Sequence, residues 1–332
     1  MFQLRTFGIM YILYYMLSRS ELPKNFFVKL AWVTVFSGLL IFVQGVAEKL
    51  SMRQLLMPEM WTQKVLSSTN FVRIYGMLNN PNSLALVLFF AISATFFLRW
   101  VYKDNQYKWL LIISQVAFMG MLALTLSRGT WIAAITFVVF FMLLSRNWQL
   151  LKKIAITFVA GIILVYFPVN MGLVVLQKMG VESNVAPDIT SGSISDRFSE
   201  TFSDDTLALM NESGRVFYIK KGFEVLKDYP LTGAGFGTFG GSATLSYDSP
   251  IYEEYGIRSD IYGGKNFYSD NQYIQVIAET GAIGVLLFAG FLLAMVWMFW
   301  KERKTIFGQY MFGLWFATGV AGFFYNIWEL KV

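Results

Sequence analysis

Apolar residues fall into eight blocks along the chain, at 2–17, 27–46, 84–101, 109–126, 130–145, 151–176, 274–300 and 308–328. Most reach the length of about 18 or more residues that reads as a membrane-crossing helix. The first is short and the fifth is marginal, while Pro168 inside the sixth is expected to kink or end it. A long polar interval, roughly Gln177 to Asp270, separates the sixth block from the seventh. The pattern predicts an all-α polytopic membrane protein of about eight transmembrane helices with one long extracytoplasmic loop containing short helices. It divides into N-terminal transmembrane helices (about six) over 1–176, the large loop over 177–273, and C-terminal transmembrane helices (about two) over 274–332. Ser18-Arg19-Ser20-Glu21 after the first block lacks a small-residue cleavage site, so that block reads as a helix rather than a signal peptide.

Charge orients these helices. Arg19, Lys24 and Lys29, then Arg99, Lys103 and Lys108, then Arg146, Lys152 and Lys153, then Lys301, Arg303 and Lys304 fall in alternate connections. With eight spans all four groups share one side, which the positive-inside rule makes cytoplasmic. The segment 47–83, the turn Ser127-Arg128-Gly129 and the long loop are then extracytoplasmic.

Composition narrows the chemistry. The chain is 56% hydrophobic and only 14% charged, whereas soluble domains are about one-quarter charged. Its net charge of +6 is explained by the orienting loops, and no basic run interleaved with aromatics points to nucleic acid. There is no cysteine and no histidine. Thiolate chemistry, histidine bases and histidine metal ligands are therefore excluded. Phosphate chemistry would rest on arginine, lysine, carboxylates and backbone.

Several polar positions stand out on the extracytoplasmic side. Arg128, in Thr125-Leu-Ser-Arg-Gly-Thr-Trp131, is either a snorkelling interfacial arginine or an anchor whose fork of donors grips a phosphate. Ser213 can cap a helix running to about Lys227, with Val216, Ile219, Phe223 and Leu226 as its apolar face. Arg215 then lies in the first turn, where the helix dipole disfavours a cation and a bound anion would relieve the mismatch; the plain alternative is a solvated arginine. Gly235-Phe-Gly237-Thr-Phe-Gly240 matches a dinucleotide-binding spacing but follows a helix rather than a strand, so it reads as a tight backbone turn. Asp270 or Ser269 can cap the next helix, and Asp270 can alternatively serve as a base beside a sugar. Glu279 lies on that same helix. Asp204-Asp205 is a weak metal signal, and Glu212, Glu253 and Glu254 are weaker carboxylate candidates. Arg73 precedes the turn and helix start Asn80-Pro-Asn82.

Four of these segments, in order, resemble the O-antigen ligase and polymerase family, bacterial membrane glycosyltransferases of the WaaL/Wzy kind. They are Arg73-x-x-Gly76 with Asn80-Pro-Asn82; Ser127-Arg-Gly129; Arg215 with Asp228-x-Pro230-Leu-x-Gly233-x-Gly235-x-Gly237; and Asn271-x-Tyr273 with Glu279-x-Gly281-x-x-Gly284. The resemblance covers about residues 70 to 300. It implies transfer of a glycan from a polyprenyl-pyrophosphate-linked donor to an acceptor glycan at the outer face of the bacterial cytoplasmic membrane, with no metal and no cofactor. The expected product is polymer, as for O-antigen, capsule, exopolysaccharide or teichuronic acid. Ligation to a lipid A core and transport of the lipid-linked glycan are the alternatives. Expected partners are the donor, the acceptor, membrane lipids and other polysaccharide-assembly proteins. Arg128 and Arg215 match the family's outer-loop arginines held to bind the pyrophosphate; with Asp270 as the candidate base, the expected catalytic set is Asp270, Arg215 and Arg128, and the expected substrate-binding set is Arg73, Asn82, Gly235, Gly237, Asn271 and Glu279. Many members carry a histidine before the asparagine of the last motif, where this chain has Asp270, and members usually have about ten to twelve spans.

Overall fold

The computed structural model describes residues 4–23, 25–62, 68–102, 106–179, 214–244, 247–257 and 269–329. Every apolar block forms a helix, as hydrocarbon requires of a chain with no other way to satisfy its backbone. The longer helices are α1 (Leu4–Arg19), α2 (Phe26–Leu50), α3 (Pro81–Val101), α4 (Lys108–Leu124), α5 (Arg128–Ser145), α6 (Trp148–Gly161) with its continuation α7 (Phe167–Lys178), α8 (Arg215–Asp228), α9 (Gln272–Lys301) and α10 (Ile306–Ala321). Among the described residues, five stretches are long and apolar enough to cross a membrane: α2, α3, α5, Trp148–Leu176 and α9. The α4 helix is apolar but has 17 residues. No strand occurs among the described residues.

Pro168 does not end its helix. A π turn at Ile162–Tyr166 lies just upstream, and the chain stays helical to Lys178. Proline lacks an N–H and its ring collides with the carbonyl four residues back, so a widened turn is one way to absorb it. Asn80 and Pro81 start α3 as the sequence suggests. The Asn80 side chain accepts from the N–H groups of Asn82 and Ser83, and Pro81 takes the first helical position.

The chain forms two compact units. The N-terminal unit holds residues 22–131 and 147–200. Its core gathers Val35, Leu84, Leu88, Phe118, Met121 and Leu124. Here α4 and α6 touch backbone to backbone, because a Cβ on Gly161 would lie 2.6 Å from the Gly120 nitrogen. Small residues permit such approach where lipid provides no hydrophobic drive between helices. Gly161→Leu is expected to force the two helices apart and reduce the folded yield recovered from membranes at least several-fold. Size-exclusion chromatography of detergent-extracted protein measures it, and a monodisperse peak at wild-type yield would refute this packing.

The C-terminal unit holds residues 1–21, 132–146 and 201–331. Within it the later part of α5 packs on α10, with the Phe140 and Phe316 rings stacked at 3.9 Å. A second core of Tyr218, Val225, Phe239, Tyr252, Tyr255 and Ile274 lies beneath α8 and the start of α9.

Candidate functional site

In the C-terminal unit, α8 begins at Arg215 after Gly214, with no side chain capping it. Ser213, the cap anticipated from sequence, lies outside the described residues, as do Asp204, Asp205 and Glu212. The most buried positions are Tyr218, Gly222 and Val225, shifted from the expected face of Val216, Ile219, Phe223 and Leu226, of which Ile219 is half-buried against the same core. Gly222 explains the shift: a Cβ there would sit 2.3 Å from Ile274, so the absent side chain lets α8 close on α9. Phe223 is left 50% exposed.

After α8 the glycine-rich turn is sewn to a break in α9. Gly281 departs from helical geometry at φ 58°, ψ −158°. The break would strand backbone groups of α9, and the turn supplies them with partners. Ala282 and Ile283 donate to the carbonyls of Pro230 and Leu231, while Ala234 and Gly235 donate to those of Ala278 and Glu279. The four bonds span 2.9–3.1 Å. Gly233, at φ 68°, sits where a Cβ would meet the Glu279 carbonyl carbon at 2.3 Å. The two glycine motifs are therefore halves of one backbone junction. Gly235 uses its N–H within it, and Phe236, beside Gly237, is exposed with its ring 5.9 Å from that of Phe7.

Buried carboxylates brace this junction. Glu279, 2% exposed, accepts from the Phe239 N–H at 3.0 Å and from Gln275 at 3.4 Å. The same Gln275 amide donates to Glu329 at 2.7 Å, and Glu329 also takes the Ser242 N–H at 2.9 Å. At the end of α8, Tyr255 donates to Asp228 at 2.6 Å. Burial, then the bond to Asp228 and its charge, raise the Tyr255 phenol above its ordinary value and keep it a donor.

The cap of α9 is Asn271, whose side chain accepts from the Tyr273 and Ile274 N–H groups. Neither Ser269 nor Asp270 fills that role. Ser269 instead donates its N–H to Gly240 at 2.9 Å, tying the turn to the start of α9. Relieved of capping, Asp270 faces Arg215, with Nη2 and Oδ2 3.1 Å apart and the side chains 40% and 48% exposed. The Arg215 guanidinium also lies 5.9 Å from the centre of the Phe324 ring. A carboxylate and a guanidinium fork thus stand together, open to a ligand, on a framework of helix starts.

The N-terminal unit carries the remaining candidates. Arg73 is half-buried and donates to the Thr125 carbonyl at 2.8 Å, to Asn82 at 2.6 Å and to Asn70 at 3.3 Å. Ser127 donates to the same Asn82 oxygen at 3.1 Å and lies 3.2 Å from Thr130. Arg128 is half-buried in the first position of α5, between those two hydroxyls in sequence. The structure adds three charges to the sequence candidates: Glu48, Lys49 and Arg53 at the end of α2, all at most 6% exposed. The signal was present, since three ionisable residues at the end of an apolar helix are expensive unless paired. Gln275 and Glu329 carry a weaker signal, because each resembles an ordinary polar residue near a span end.

Among the described residues no group of three metal-ligating side chains occurs. The family model described as O-antigen ligase matches residues 113–289, more than half of the 332 residues. The match takes in Arg128, Arg215, the glycine turn, Asp270 and Glu279, and leaves Arg73 and Asn82 outside. No curated protein and no solved structure matches the chain. With its apolar helices, this membrane protein belongs to the O-antigen ligase family.

Proposed function

We propose that the chain is a polysaccharide polymerase acting on a polyprenyl-pyrophosphate-linked glycan at the outer face of the bacterial cytoplasmic membrane. Family membership supports a ligase- or polymerase-type transfer between a lipid-linked donor and an acceptor. The observation that carries the mechanism is the open Arg215–Asp270 pair. An exposed ion pair is worth only about 0–1 kcal/mol, so a pyrophosphate can take over the guanidinium at little loss. Arginine's planar fork suits two anionic oxygens at once. Asp270, released from its partner, then becomes free to accept a proton.

In the proposed step an acceptor hydroxyl oxygen attacks the donor's anomeric carbon. The bond from that carbon to the pyrophosphate oxygen breaks, the hydroxyl proton passes to Asp270, and Arg215 neutralises the charge growing on the leaving group. Arg128 is proposed as a phosphate-recognising residue of the N-terminal unit, and Arg73 and Asn82 as the residues that seat its turn. Asn271, Gly235, Gly237 and Glu279 are proposed to shape the substrate-facing surface around Asp270. Ligation is the second reading, favoured by the description of the matched family.

Purified protein in liposomes, given a synthetic lipid-linked repeat, tests the reading. The expected result is a ladder of lengthening lipid-linked glycans with release of polyprenyl pyrophosphate. Transfer that begins only after a separate glycolipid acceptor is added would favour ligation. Movement of the repeat between leaflets without new glycosidic bonds would overturn both.

A further inference from the structure

We infer that Glu48 is a positioning residue for the turn that carries Arg128, acting through the backbone of residues 72–76 and through Arg73. The inference rests on the reading of Arg128 as a phosphate-recognising residue. Glu48 is 1% exposed at the end of α2, and its carboxylate accepts from the Tyr75 N–H at 3.1 Å and the Gly76 N–H at 2.7 Å. Gly76, at φ 63°, presents that N–H from a left-handed conformation. Arg53 pairs with the carboxylate at 3.4 Å, donates to the Trp61 carbonyl and lies 4.2 Å from the centre of the Tyr75 ring. Lys49 donates to the carbonyl of Val72. Three charged side chains from one helix end therefore converge on residues 72–76 and their surroundings.

That grip continues to the Arg128 turn. Ile74 donates its N–H to the Leu124 carbonyl at 3.4 Å. Arg73 reaches the Thr125 carbonyl and Asn82, and Asn82 takes the Ser127 hydroxyl. Leu126, one residue earlier, holds φ 50° without being glycine. Such a conformation persists only where its surroundings enforce it. Well-packed apolar residues would often fill the Glu48 site at lower desolvation cost. What they would not do is fix the direction of two backbone N–H groups, and with it the point from which Arg73 departs.

The test compares the purified full chain with Glu48→Ala, Glu48→Gln, Arg128→Lys and each Glu48 variant combined with Arg128→Lys, in the lipid-linked repeat assay. Misplacing a binding group by about 1 Å costs on the order of 10²-fold in rate. Glu48→Ala should lose about that in kcat/KM, while Glu48→Gln, which keeps one acceptor oxygen, should recover much of it. Combined with Arg128→Lys, either Glu48 change should add less than its own single effect, since both act on one turn. Losses that multiply would overturn the inference, as would Glu48→Ala at wild-type activity. If Glu48→Ala yields no folded protein, the Glu48→Gln combination decides by the same criterion. A second readout needs no activity. The chain has no cysteine, so a single Ser127→Cys, at a position 1% exposed, reports on the turn alone. Maleimide should label it in detergent at least several-fold faster with Glu48→Ala than without, with Glu48→Gln between the two, and equal rates with Glu48→Ala and with Glu48 would overturn the inference. Full activity of Arg128→Lys and Arg128→Ala would strike the role of Arg128 instead, leaving this labelling to decide whether Glu48 holds the turn.

Discussion

Gly281→Ala is expected to leave almost no folded protein, although it adds one methyl group to a helix of 30 residues. Its backbone, at φ 58° and ψ −158°, lies in a region that only glycine occupies at low energy. The new Cβ would stand 2.5 Å from the Gly233 nitrogen and 2.6 Å from the Leu231 carbonyl carbon, both backbone atoms that no rotamer change can move. Relief would require the turn to withdraw, breaking the bonds that Pro230, Leu231, Ala234 and Gly235 make with α9. Strain of about 1–3 kcal/mol and lost hydrogen bonds of about 1 kcal/mol each together approach the whole stability of a typical domain, about 5–15 kcal/mol. Gly290→Ala is the control. It lies in the same helix with nothing within 4 Å of its would-be Cβ, and alanine is the better helix former. Thermal unfolding of the detergent-purified variants should show Gly290→Ala at or above wild type and Gly281→Ala absent or melting far lower. Equal melting of the two would mean that the turn and α9 are not joined as described.

The same pair of glycines illustrates what sequence does and does not carry. Apolar runs show the long spanning helices, because lipid leaves the backbone one local solution and composition records it. The helix start at Asn80-Pro81 is equally legible, being decided within four residues. Gly281 and Gly290, by contrast, look alike in a row of Ala, Ile, Leu and Phe. Only the approach of a turn some fifty residues earlier in the chain makes one indispensable. The Ser269-Asp270-Asn271 run shows the limit at closer range. All three residue types cap helices well, so propensity alone cannot choose among them. Arg215 chooses, 55 residues before Asp270, by engaging the aspartate and leaving Asn271 to cap. Glu48, Lys49 and Arg53 are hard to single out from the sequence, because the end of a span is where charges ordinarily meet water. Their partners, the backbone groups of residues 72–76, leave no mark in side-chain chemistry.

Arg215→Ala and Asp270→Asn should each abolish most transfer while leaving the protein folded, and that combination separates a working pair from a structural one. Arg215 and Asp270 are about half exposed, so their bond adds little stability and its loss should move the melting temperature by no more than a degree or two. Removing a donor that meets the charge growing on the leaving group lowers kcat by about 10²–10³-fold. Removing a positioned base lowers it by about 10²–10⁴-fold. Both variants should therefore bring kcat down at a nearly unchanged melting temperature, with Arg215→Lys partly active because it keeps the charge but not the fork. The exchange Arg215→Asp with Asp270→Arg sharpens the test. It restores an ion pair of the same charge in the reverse order. If the pair only tethers α8 to the start of α9, the exchange should recover activity. If guanidinium and carboxylate face different ends of the breaking bond, it should remain as inactive as either single change, because the carboxylate would then meet the pyrophosphate and the guanidinium the acceptor hydroxyl.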